Sequence, residues 1–122
     1  MGEALTIRVR RYRGYAIVAV AGEVDIATVT RLRESLFGLT ASGRTLVVDL
    51  DQVSFIDSSG LAALVGAAKR ADAHGASLQV VCARPQTRQL FRLTGLDGQI
   101  PLARTLDGVL ESLAAARPAP AS

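Results

Sequence analysis

The chain has 122 residues, of which 49% are hydrophobic and only 4% aromatic, and its formal net charge is +3 at pH 7. This length fits one domain with an aliphatic core, and the composition favours an α/β layer fold over an all-β sandwich. Its single cysteine, Cys82, and single histidine, His74, exclude an internal disulfide and a structural zinc site, so we expect no metal and no cofactor.

Two strands are predicted at the start of the chain. Residues 5–10 alternate apolar and polar side chains, which is the pattern of a strand with one buried face. Residues 15–21 are almost continuously apolar, which indicates a strand covered on both faces. The turn at Arg13-Gly14 makes a hairpin the economical connection.

Helices and strands then alternate. Asp25 is well placed to cap a helix whose apolar stripe is Val29, Leu32, Leu36 and Leu39. A buried strand at residues 46–50 precedes a polar turn, and a second helix runs from Ser58 towards His74-Gly75.

The last third continues the alternation. A strand at residues 77–82 precedes a third helix that starts near Pro85 and turns Leu90, Phe91 and Leu93 inward. A short edge strand at residues 100–102 and a helix capped by Thr105 follow. The predicted order is therefore β-β-α-β-α-β-α-β-α, in one domain at residues 1–116. Residues 117–122 lack an apolar period and are predicted to be a disordered tail.

This order predicts a single mixed, mostly parallel sheet, because strand–helix–strand units with short loops require right-handed crossovers. The carboxyl ends of parallel strands meet at one edge, so we expect Asp25 to lie beside Asp57-Ser58. Glu23, Asp49 and Asp51 are expected to join them in an acidic rim.

The segment Asp57-Ser58-Ser59-Gly60 precedes the second helix. Side-chain oxygens of Asp and Ser accept hydrogen bonds from the free N–H groups of a first helical turn, so capping is one role. One such residue suffices for a cap, yet the sequence supplies three. Gly60 either lets another molecule approach the backbone or packs against a strand.

Three segments together carry a family resemblance: Asp57-Ser58-Ser59-Gly60-Leu61, the preceding Val53-Ser54-Phe55-Ile56 and the earlier Gly22-Glu23-Val24-Asp25. They resemble the STAS domain of bacterial anti-sigma factor antagonists of the SpoIIAA and RsbV type. The similarity extends to residues 90–96 and covers the chain from about Leu5 to Leu113, which implies the STAS fold.

The resemblance implies a phosphorylation switch rather than an enzyme. An ATP-using anti-sigma factor, at once serine kinase and binding partner, would phosphorylate Ser58. The unphosphorylated protein would bind it and free the sigma factor, and a PP2C-type phosphatase would reset the switch. Asp25, Asp57, Ser58, Ser59 and Gly60 are the predicted partner-binding residues. Ser59 is the rival acceptor, although bonding within the first helical turn is its expected role.

Small and basic residues on the second helix are expected to offer a face on which a partner helix can lie. They are Ala62, Ala63, Gly66, Lys69 and Arg70.

Three other classes of function compete with the switch. A STAS scaffold or a nucleotide-binding regulatory module in a sensory complex stays open within the resemblance. A serine hydrolase is disfavoured because the Gly-x-Ser-x-Gly elbow is absent and His74 lies a helix length from Ser58. Nucleic-acid binding through the arginines of residues 8–13 is disfavoured because only Tyr12 and Tyr15 could offer stacking platforms.

The expected cellular location follows from two features that the sequence lacks. No signal sequence opens the chain, and no apolar run approaches the roughly 20 residues of a membrane helix. We therefore expect a cytoplasmic protein with no membrane partner, acting as a monomer or weak dimer.

Overall fold

The computed structural model describes residues 5–116, so the predicted tail at residues 117–122 lies outside the described part. The predicted order of strands and helices is confirmed, with a short 3₁₀ helix added after the third helix. The elements are β1 (Thr6–Arg11), β2 (Tyr15–Val24), α1 (Val29–Thr40), β3 (Thr45–Ile56), α2 (Ser58–Ala73), β4 (Leu78–Val81), α3 (Pro85–Leu93), the 3₁₀ helix (Leu96–Gly98), β5 (Leu102–Ala103) and α4 (Leu106–Ala116).

The strands form one five-stranded sheet in the spatial order β1-β2-β3-β4-β5. β1 pairs antiparallel with β2, whereas β2, β3, β4 and β5 run parallel to their neighbours. The predicted mixed, mostly parallel sheet is therefore confirmed, and the carboxyl ends of its four parallel strands lie at one edge. Within residues 5–116, no helix is both long and apolar enough to cross a membrane.

The central strand is longer than predicted. The polar turn expected at residues 51–56 is wrong, because these residues continue β3 alongside the end of β2. The pairing shifts register between Ala19 and Ala21 and again between Gly22 and Glu23. Gly22 has φ +108°, a left-handed value that a side chain rarely tolerates, so glycine permits the irregular ladder here.

Both faces of the sheet are covered. Residues of α1, α2 and α3 join the larger apolar cluster, in which Leu32, Leu36 and Phe91 are fully buried. Val109 of α4 belongs to a separate cluster with Ile17, Val47 and Val81 of the sheet. Two covered faces explain why β2 and the first half of β3 are almost continuously apolar.

Two predicted details of the third helix and the last strand are wrong. Leu93 is 77% exposed rather than turned inward. It follows Phe91 by two positions, and that spacing places it on the opposite side of a helix. The last strand begins at Leu102 rather than Ile100, although the Pro101 carbonyl still accepts from Val80 N–H at 2.9 Å.

The expected partner-binding face of α2 is partly occupied by α1. Ala63 is buried, which contradicts its predicted exposure. Phe37 of α1 lies against Gly66, with its ring 3.1 Å from the position that a Cβ on this glycine would take. The Arg70 guanidinium carbon lies 4.2 Å from the centroid of the same ring. Ala62, Lys69 and Arg70 are exposed, as predicted.

Candidate functional site

Asp57 caps the amino end of α2, as its sequence position predicts. Its Oδ1 accepts from the backbone N–H groups of Ser59 at 3.0 Å and Gly60 at 3.3 Å. The same oxygen accepts from the Ser59 hydroxyl at 2.5 Å. One carboxylate oxygen therefore satisfies donors of the first turn that have no partner inside the helix.

These bonds stabilise the ionised carboxylate. The pKa of Asp57 lies below the ordinary aspartate value, chiefly because the Ser59 hydroxyl donates to the carboxylate. Desolvation, the second-largest effect, raises the pKa, and the amide donors of Gly60 and Ser59 lower it further. Asp57 is consequently a fixed negative charge at neutral pH.

The two neighbouring serines have different environments. Ser59 is half-buried and its hydroxyl is engaged by Asp57, as expected for bonding within the first helical turn. Ser58 is exposed, and no residue among 5–116 makes a hydrogen bond with its hydroxyl. The first residue of α2 thus presents an accessible hydroxyl at the positive end of a 16-residue helix.

Asp25 and Asp57 are neighbours across the sheet edge, as predicted. Val24 pairs with Ile56 at the ends of β2 and β3, and Asp57 N–H donates to the Val24 carbonyl at 3.1 Å. Each aspartate is the residue that follows one member of this pair. The ends of the two strands are therefore joined beside Ser58.

Asp25 caps a turn rather than α1 itself, which corrects the predicted cap. Its Oδ1 accepts from Ala27 N–H at 2.9 Å and Thr28 N–H at 3.1 Å, while its own N–H donates to Thr28 Oγ1 at 3.0 Å. Thr28 occupies the N-cap position of α1 without a side-chain capping bond. The turn at residues 25–28 is held by these reciprocal bonds.

Two of the expected acidic residues lie within β3, several positions before Asp57, and are held away from Ser58. Asp49 lies within β3, where its carboxylate accepts from Asp51 N–H at 3.0 Å. Asp51 accepts from Ala83 N–H at 2.8 Å and thereby ties β3 to the segment after β4. The acidic rim is therefore limited to Glu23, Asp25 and Asp57.

Gly60 is buried between the ends of β2 and β3. A Cβ on this residue would lie 2.7 Å from Ile56 Cγ1 and 2.7 Å from Val24 Cγ1. The geometry gives Gly60 a packing role, which was one of its two anticipated roles. Contact of Gly60 with a partner stays a prediction.

Sequence reasoning did not single out two apolar side chains near Ser58. Ile26, next to Asp25, is 80% exposed, and Phe55, two residues before Asp57, is 51% exposed. Phe55 also lines a groove of about 230 Å³ between the end of β3 and α3, together with Arg84 and Thr87. Large apolar residues are usually buried. The signal in the sequence that could have revealed these two was therefore their position beside acidic turn residues.

Comparison with known proteins identifies the family. The family model described as the STAS domain matches residues 6–109. The chain belongs to the STAS-domain family. It is 35% identical over 91 residues to the anti-sigma-B factor antagonist of Bacillus subtilis, which covers 75% of this chain and 84% of that protein.

Two further STAS relatives match over most of their length. The anti-sigma-F factor antagonist RsfB of Mycobacterium tuberculosis is 30% identical over 116 residues, or 94% of each chain. The crystal structure of an anti-sigma factor antagonist from Mycobacterium paratuberculosis superposes with a TM-score of 0.83 at 33% identity, covering 91% of this chain and 95% of that one. The predicted STAS fold and the resemblance to anti-sigma factor antagonists are thereby confirmed.

Proposed function

We propose that this STAS domain is a cytoplasmic anti-sigma factor antagonist whose binding is switched off by phosphorylation of Ser58. Unmodified, it binds an anti-sigma factor that also acts as a serine kinase, and the sigma factor is released. A PP2C-type phosphatase restores the unmodified form. The observation that carries the proposal is the exposed Ser58 hydroxyl, without a hydrogen-bond partner among residues 5–116, at the start of α2. The names of the relatives support the antagonist role.

The neighbouring charges explain how phosphate acts as an off-switch. Phosphorylation adds about −1.5 to −2 charges at pH 7. Asp57 is the adjacent residue and is ionised at neutral pH, and Asp25 follows the strand residue that pairs with Ile56. Like charges brought together at an interface can cost several kcal/mol, and about 1.4 kcal/mol already changes affinity tenfold.

The scaffold itself tolerates the modification. A phosphate on Ser58 lies at the positive end of a helix, where the helix dipole favours negative charge. Ser58 is exposed, so no buried side chain has to move. We therefore expect the phosphate to change the interface while the fold stays intact.

The apolar residues around Ser58 supply the binding energy. Ile26 and Phe55 extend from the two strand ends that carry Asp25 and Asp57. Exposed apolar side chains surrounded by polar groups are typical of a protein-binding surface. In this proposal they anchor the anti-sigma factor, and the small hydroxyl of Ser58 lies inside the contact.

The test is a phosphorylation assay with the anti-sigma kinase and ATP, followed by location of the phosphate by mass spectrometry. The wild type and Ser59→Ala are expected to be modified at Ser58, whereas Ser58→Ala is not modified. Ser58→Asp is expected to bind the anti-sigma factor at least about tenfold more weakly, with an unchanged circular dichroism spectrum.

Two results contradict the proposal. Phosphate on Ser59 alone refutes the site assignment. Undiminished binding by both the phosphorylated protein and Ser58→Asp refutes the switch, because charge at this position then has no effect on the interface.

A further inference from the structure

A second polar surface lies at the β5 edge of the sheet. A cleft of about 330 Å³ is lined by Arg88 and Arg92 of α3, Asp97, Leu102 of β5, and Arg104. We call this the arginine cleft. Three positive side chains and one negative one give it a local charge of +2. Ligand sites occupy about 300–1,000 Å³, so the volume suits a small ligand.

The arginines come from two directions. Arg88 is half-buried and its Nη1 donates to the Cys82 carbonyl at 2.9 Å, which fixes the side chain and leaves other N–H groups available. Arg92 lies four residues later, on the same face of α3. Arg104 enters from the segment after β5. The three arginines therefore line the same cleft.

The outer arginines are not neutralised by the protein. The side chains of Arg92 and Arg104 make no hydrogen bond or ion pair with any residue in the described range 5–116, and neither does Asp97. Guanidinium groups are weakly hydrated and present planar pairs of donors that match phosphate oxygens. A bound oxyanion relieves the repulsion between these neighbouring cations.

The arginine cleft is separate from the Ser58 surface. β4 lies between β3, which leads to Ser58, and β5, which leads to Arg104. β3 and β5 are therefore two strand spacings, or about 10 Å, apart. The cleft nevertheless adjoins the carboxyl ends of β4 and β5, where open α/β sheets commonly bind ligands.

We propose that the arginine cleft binds a small phosphate-bearing molecule. Its lining residues include no aromatic ring on which a base could stack, which disfavours single-stranded nucleic acid. Four of its five lining residues are charged, which disfavours an apolar ligand. This proposal does not depend on the proposed switch at Ser58.

The test is a calorimetric titration of the full chain with inorganic pyrophosphate, with NMR amide shifts to locate the site. Pyrophosphate is expected to bind at one site, with shifts at residues 88–104. Arg92→Gln/Arg104→Gln is expected to weaken binding at least about tenfold, because each removes charged hydrogen bonds. Asp97→Asn is expected to tighten binding about threefold, because a repelling charge is lost.

Arg10→Gln/Arg11→Gln is the matched control, because both side chains are exposed on β1 at the opposite edge of the sheet. It removes the same charge and is expected to leave binding unchanged.

Equal losses in the two double variants, or shifts confined to β1, overturn the proposal. Absence of binding at millimolar pyrophosphate also overturns it. So does a short DNA strand that binds more tightly than pyrophosphate and whose binding is weakened equally by both double variants. Ser58→Ala is expected to bind pyrophosphate like the wild type, which separates this test from the switch.

Discussion

The packing around Gly60 makes a defined prediction about stability. In Gly60→Ala the new Cβ lies 2.7 Å from both Ile56 Cγ1 and Val24 Cγ1. Both neighbours are buried and β-branched, so neither can rotate away freely. Overpacking of this kind costs about 1–3 kcal/mol, and the better helix propensity of alanine returns up to about 1 kcal/mol. We expect a net loss of about 1–2 kcal/mol in the free energy of unfolding.

Urea unfolding followed by circular dichroism measures this loss, and thermal melts should show a Tm lower by about 4–8 °C. Gly38→Ala is the matched control, because Gly38 is an exposed helical glycine with no atom within 4 Å of its added Cβ. That variant is expected to gain about 0.5–1 kcal/mol. If Gly60→Ala is as stable as wild type while Gly38→Ala gains stability, the packing argument is refuted.

Two further changes test the surface around Ser58. Asp57→Asn is expected to lower Tm at neutral pH. The lowered pKa of Asp57 stabilises the fold at neutral pH, and this contribution is lost as pH falls through that pKa. Thermal melts across the acid range should therefore show the difference from wild type shrinking; a difference that does not vary with pH contradicts the assignment. Phe55→Ser is expected to weaken anti-sigma factor binding at least about tenfold with a stability change within about 0.5 kcal/mol. Leu93→Ser, an exposed leucine on α3, is the control in the same binding assay, and an equal loss there refutes the anchoring role of Phe55.

Local patterns were sufficient to predict most of the fold. The stripe of Leu32 and Leu36, the cap at Asp57 and the terminator at Gly75 are encoded within a few residues of each other. Gly75 has φ +75°, the left-handed value expected where α2 ends. The order of elements and the parallel sheet follow from such signals together with the handedness of crossovers.

The errors lie where distant residues decide the structure. Residues 51–56 read as a polar turn, but pairing with the end of β2 makes them a strand. Asp51 was assigned to the acidic rim, whereas its partner, Ala83, lies 32 residues away. Leu93 is an error of a different kind, because its spacing of two residues from Phe91 already places it on the opposite, exposed side of α3.

The same distinction applies to the site. The engaged hydroxyl of Ser59 follows from its distance to Asp57 along the chain, and it was anticipated. The two roles considered for Gly60 could not be separated by sequence, because its packing depends on Val24, which lies on another strand. Exposure of Ile26 and Phe55 likewise depends on how the strand ends meet.

The hydrogen bond from Asp57 N–H to the Val24 carbonyl has a kinetic consequence. It holds the loop before α1 and the start of α2 in one fixed arrangement, so a visiting protein meets a preorganised surface. Little backbone order has to be created during association, and the entropic penalty of recognition is correspondingly small. In the proposed switch, encounters with the unmodified protein are governed mainly by diffusion and charge, and phosphorylation of Ser58 is expected to shorten the lifetime of the complex as well as to slow its formation.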